Sequence, residues 1–104
     1  MSSVRLQNRH LLIAAAIAAD AFGESIQVQV VYYPQQQTLL LAPLDDTTFA
    51  SLHQTAVQML KTRNLQGDKS LSLEEILIDY ELDDRDRDLP FLYANGMQLL
   101  HVTI

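Results

Sequence analysis

The sequence predicts an α+β domain in which two β-hairpins form a four-stranded antiparallel sheet with helices packed on it, in the order α-β-β-α-α-β-β. Three observations predict it. Residues 26–33 alternate with a period of two, Asn95-Gly96 divides two apolar runs near the C-terminus, and Phe49, Leu52, Ala56, Met59 and Leu60 recur at helical spacing. At 104 residues, 48% of them hydrophobic and 19% charged, the chain fits one globular domain, 1–104.

A first helix is expected from Val4 to Phe22, ended by Gly23. Leu6, Ile13 and Ile17 form one apolar stripe on it and Leu12, Ala16 and Ala19 another, so it calls for two neighbours. The basic Arg5, Arg9 and His10 before the apolar run Leu11–Ala19 imitate a secretory signal, with Ala19-Asp20-Ala21 in the place of a cleavage site. The run is alanine-rich and far below the ~20 residues a membrane-spanning helix needs, so a buried helix is the expectation.

Ile26, Val28, Val30 and Tyr32 alternate with Gln27, Gln29, Val31 and Tyr33, which reads as a half-buried strand with the first set in the core. Pro34–Gln37 makes a turn and Thr38–Ala42 the returning strand. Asp45 and Asp46 supply an N-cap to the second helix, which should run past Lys61 and Arg63 to Gly67. Ser72 and Glu75 form a capping box ahead of Leu73, Ile76, Leu77 and Tyr80 at helical spacing. Helix is expected there, although Ile76, Ile78, Tyr80 and Leu82 also alternate as a strand would. The last hairpin should turn at Asn95-Gly96 as a type I′ turn, pairing Ala94 with Met97, Tyr93 with Gln98, Leu92 with Leu99 and Phe91 with Leu100.

The net charge of −6 is unevenly placed. Residues 68–88 hold nine acids against Lys69, Arg85 and Arg87, so this stretch carries the whole excess. Nucleic-acid binding needs clustered Lys and Arg to neutralise phosphates, and no such cluster is present in the sequence. With no cysteine there is no disulfide, thiol nucleophile or thiolate metal site, in keeping with a cytoplasmic location. The glutamine-rich, lysine-poor composition suggests a bacterial source.

Candidate chemistry is sparse, and neither cofactor nor metal is expected. His10, His53 and His101 are nowhere paired at i, i+3 or i+4, and His53 falls on the apolar side of the second helix. Asp84, Asp86 and Asp88 resemble the opening of an EF-hand loop, but its sixth position would be Leu89 and its twelfth Asn95, and Arg85 and Arg87 would repel a cation. No glycine-rich phosphate loop or nucleophile elbow occurs.

What remains is surface. Val31 and Tyr33 fall opposite the alternating core set, and Leu39-Leu40-Leu41 is apolar on both faces of its strand. The expected function is a small non-catalytic protein–protein interaction module, such as an adaptor, assembly factor or dedicated chaperone. Val31, Tyr33, Leu40 and Tyr93 would supply apolar contact. Asp83, Asp84 and Asp86 would steer a partner with a basic or extended segment. A homodimer is the expected self-assembly. The alternative is a small enzyme or ligand-binding domain with a pocket between sheet and helices, using His53 or His101 beside Tyr80 or Tyr93.

Overall fold

A computed structural model describes residues 4–94 and 99–104. These residues build an α+β fold of ten strands and three helices, arranged as two five-stranded antiparallel sheets rather than one four-stranded sheet. Among the described residues no helix is long and apolar enough to cross a membrane.

The largest departure from expectation is at the N-terminus. In place of a helix from Val4, the chain forms a hairpin of β1 (Val4–Gln7) and β2 (His10–Ile13), and only α1 (Ala15–Phe22) is helical. Asn8 and Arg9 take φ of 50° and 63°, the left-handed pair that a two-residue hairpin turn requires and that breaks a right-handed helix. The period is therefore two: Val4, Leu6, Leu11 and Ile13 are buried, while Arg5, Gln7 and His10 face away from the core. Gly23 ends α1 as expected, with φ of 60° and its N–H donating to Ala19 O.

β3 (Gln27–Tyr33) and β4 (Thr38–Pro43) form the expected hairpin. α2 (Thr47–Leu52) begins where expected, the Asp46 carboxylate accepting from Phe49 N at 2.9 Å, but it ends at His53 and not at Gly67. The rest of the expected helix is extended, as β5 (Ala56–Met59) and β6 (Lys61–Thr62). β5 gives β3 a second strand partner, and Leu60 is buried with its N–H donating to Ile26 O at 2.8 Å. Satisfying that strand edge outweighs continuing the helix, even though Ala56 and Met59 stay exposed in β5.

β7 (Lys69–Ser72) leads into α3 (Glu74–Asp79), a helix as the capping residues indicated, with Leu73 and Leu77 buried. Ser72 Oγ accepts from Glu74 N at 3.3 Å instead of closing the box with Glu75. The helix closes with Leu82 N donating to Leu77 O and Glu81 N to Ile78 O, which is the Schellman pattern. Glu81 therefore sits at φ of 52°, where glycine is favoured. Glu81→Gly should raise stability by roughly 0.5–1 kcal/mol, read as a higher urea midpoint at unchanged slope. A lower midpoint would contradict this cap.

β8 (Arg87–Asp88), β9 (Phe91–Ala94) and β10 (Leu99–Thr103) complete the chain. The expected C-terminal hairpin is present, but Leu99 pairs with Ala94 and Leu100 with Tyr93, two residues away from the expected register. A slip of two leaves unchanged which residues of the two strands share a face. The Asn95-Gly96 turn and the pairings given to Met97 and Gln98 lie outside the described residues.

The strand orders are β6-β7-β2-β1-β8 and β5-β3-β4-β10-β9. Both sheets, α1 and α3 contribute to a single main core, with Leu6, Leu11, Ile13, Leu39, Leu41, Leu71 and Leu100 among its fully buried side chains. The inner face of the second sheet presents Val28, Val30, Tyr32, Leu39, Leu41, Leu100 and Val102 to it.

Candidate docking surface

The second sheet is apolar on its outer face as well. Leu40, Ala42 and Phe49 form a small second core, with Val31, Tyr33 and Leu99 packed around it half-buried. Strand alternation puts Val31, Tyr33, Leu40, Ala42 and Leu99 on this side, because their neighbours in sequence already face the main core. Of α2, Phe49 is buried against the sheet, whereas Leu52 is 71% exposed. Beyond the reach of α2, Leu92 on the edge strand β9 is 67% exposed and sits opposite His101, which in turn pairs with Leu40.

A buried amide holds α2 in place. Gln29, only 3% exposed, has its side-chain nitrogen 2.9–3.3 Å from the carbonyl oxygens of Pro43, Leu44 and Asp46, and its oxygen accepts from Thr55 Oγ1 at 3.1 Å. The loop entering α2 and the segment leaving it are thus pinned to β3. At the far end of the helix, His53 Nδ1 is hydrogen-bonded to the Tyr33 hydroxyl, and the His53 ring lies 5.6 Å from that of Tyr33 and 4.5 Å from that of Phe49. Tyr33, Gln36, Thr38, Leu40 and His101 line a shallow cleft of about 320 Å³ on the same face.

The structure divides the predicted site residues between three places. Val31, Tyr33 and Leu40 come together on the outer face of the second sheet. Tyr93 does not join them: it is half-buried against the main core, where burial, and then the nearby Asp20 carboxylate, raise its hydroxyl pKa. Asp83, Asp84 and Asp86 lie in the segment between α3 and β8, engaged in internal contacts. Asp84 accepts from Arg9 Nε at 3.1 Å, and Arg9 also approaches Glu74 at 3.5 Å. The Asp86 carboxylate accepts from Asn8 N at 2.9 Å, so this acidic segment clasps the β1–β2 turn. Asp83 binds Arg85 at 2.7 Å, and the Arg85 guanidinium holds its carboxyl down at about 2. Acids expected to steer a basic partner are thus largely spent on the protein's own backbone and arginines.

The histidines also differ from expectation. His53 stands beside Tyr33, not Tyr80 or Tyr93, and Tyr80 packs its ring 5.0 Å from Tyr32 instead. Ser51 Oγ donates to Thr48 O. Among the described residues no three or more acids and histidines are placed to hold a metal ion. Sequence reasoning missed Phe49, Leu92, Leu99 and His101 as members of this face. The signal for the last three was strand parity in the C-terminal hairpin, whereas Phe49 had none, because only the packed helix shows which sheet face it covers.

No protein family's sequence profile matches the chain, and no curated protein or solved structure matches it either.

Proposed function

We propose that this protein is a non-catalytic interaction module, of the adaptor or assembly-factor kind, that docks another protein on the outer face of β3, β4, β10 and β9. The observation that supports the reading is an apolar sheet face covered at one end by α2 and left open at the other, where Leu92 projects at the sheet edge. β9 is four residues long and carries no charge, whereas the edge strands of the first sheet are two residues long and charged. Charged, short edges resist pairing with other chains, and β9 lacks both devices. A second copy is the first occupant to test, since twofold self-association is the commonest assembly.

Leu92→Asp tests this directly, because an exposed position tolerates the change without unfolding. The wild type should self-associate in sedimentation over a micromolar range, or retain a protein from its source-cell lysate that Leu92→Asp retains at least ten-fold less. A wild type that is monomeric throughout and binds nothing, or a variant that behaves identically, overturns the reading.

A small-molecule site is the second reading. Its support is the convergence of Tyr33, Thr38 and His101 on one cleft, whose volume is at the low end for ligand pockets.

A further inference from the structure

The cations of this acidic chain are sorted by place. Arg5, Arg9 and Arg85 are in ion pairs, and Arg87 donates to the carbonyl oxygens of Asp83 and Arg85. Among the described residues the other three, Lys61, Arg63 and Lys69, are in no ion pair with a carboxylate, and all three lie in or beside the β6–β7 hairpin. Lys61 and Arg63 face a cleft of about 590 Å³, together with His10, Val57, Met59 and Leu71. No aspartate or glutamate lines it. A protein of net charge −6 thus presents, among its described residues, a cleft whose only charged lining side chains are basic.

The cleft also has the form that an extended chain requires. The polypeptide leaves the second sheet at β5 and enters the first at β6 with only Leu60 between them, so the two sheets diverge there. β5 is the outermost strand of its sheet, and Ala56-Val57-Gln58-Met59 carries no charge to discourage pairing. Across the cleft, β6 pairs only with Lys69 and Ser70, which leaves Leu71 and Ser72 of β7 without a strand on that side. Val57 and Met59 are about half exposed at its wall.

We infer that this cleft binds an extended acidic segment of another protein, added as a strand along β5 with its carboxylates beside Lys61 and Arg63. The open strand edge supplies main-chain hydrogen bonds and the bases select the charge. A nucleic acid fits less well: two exposed cations and His10 neutralise few phosphates, no Phe, Tyr or Trp ring lines the cleft for base stacking, and the net negative charge repels a polyanion at long range. The inference does not depend on the outer face of the second sheet.

The probe is a fluorescent peptide of four Glu-Val repeats, titrated by anisotropy against the full chain. Binding should saturate, weaken at least ten-fold in Lys61→Glu/Arg63→Glu, and weaken again between 50 and 500 mM salt (experimental settings chosen so that about a 10 Å screening length at 0.1 M is crossed). The same peptide N-methylated at alternate residues should lose binding at least ten-fold, because it cannot complete the strand ladder. Leu92→Asp should bind as the wild type does, which separates this site from the outer face. Four outcomes would overturn the inference: no binding of the acidic peptide, equal binding by the double variant, equal binding of the N-methylated peptide, or tighter binding of a single-stranded oligonucleotide. Self-association that disappears in Lys61→Glu/Arg63→Glu would likewise reassign the cleft to a second copy. Both substituted positions are exposed, and unchanged circular dichroism confirms that the variant is folded.

Discussion

Gln29→Leu is expected to lower stability by about 2–3 kcal/mol, although leucine has nearly the volume of glutamine and is the more hydrophobic residue. Glutamine at 29 meets the carbonyls of Pro43, Leu44 and Asp46 and the hydroxyl of Thr55. Leucine would take from the Leu44 oxygen its donor and from the Thr55 hydroxyl its acceptor, and would leave the Pro43 and Asp46 oxygens with only the backbone donors Asp46 N and Ala50 N, while removing the one side chain that ties these groups together. The loss should be local as well as global. With its entry loop unpinned, α2 should come away from Leu40 and Ala42 more often, so the variant should bind an apolar dye such as ANS more strongly at pH 7. Urea denaturation and dye fluorescence check the two parts, and a change below ~0.5 kcal/mol, typical of an ordinary surface substitution, would show that the amide network does not hold the helix.

The second large effect concerns the N-terminal hairpin. Leu6 is 0% exposed, on β1 between β2 and β8, and Leu6→Ala should cost about 3 kcal/mol and lower Tm by roughly 15 °C. Its comparison is Leu12→Ala. Leu12 is half-buried on the other side of β2, lining a surface cleft with Arg5 and Arg63, so its truncation should cost less than ~1 kcal/mol. A helix over residues 4–22 would instead place Leu12 in an apolar stripe with Ala16 and Ala19, and its loss would approach that of Leu6. Thermal and urea melts of the two variants distinguish the arrangements. Equal, large losses would contradict the hairpin.

Much of the fold could be read where local rules act alone. The β3–β4 hairpin, the start of α2 at Asp46, the helix after Ser72, the end of α1 at Gly23 and the C-terminal hairpin each follow from a period, a cap or a breaker within a few residues. Residues 4–13 misled because valine, leucine and isoleucine there satisfy a helical period and an alternating one together. What separates the two is a pair of left-handed residues, Asn8 and Arg9, and arginine carries no mark of that conformation. The segment 53–62 misled for a different reason: its strand exists because β3 has an edge to pair, a demand raised by residues ~30 positions away.

The candidate surfaces divide in the same way. That the chain holds apolar surface on two faces of one sheet was legible in Val31, Tyr33 and Leu40, since alternation assigns sides without knowledge of neighbours. The acidic excess of residues 68–88 was legible as a count, but its use was not. Arg9, Asn8 and Arg85 take up those carboxylates only once β8 lies against β1, and the same assembly leaves Lys61 and Arg63 lining a cleft together.

By itself, then, the sequence determined the class of the fold, several of its turns and caps, and which side of β3 faces the core, all of which depend on interactions a few residues long. The tertiary structure alone decided the number of sheets, the strand beside β3, the burial of Gln29 and which charges are neutralised. Those depend on pairs far apart in the chain, whose energies arise only when two distant segments are brought into contact and lose their water together.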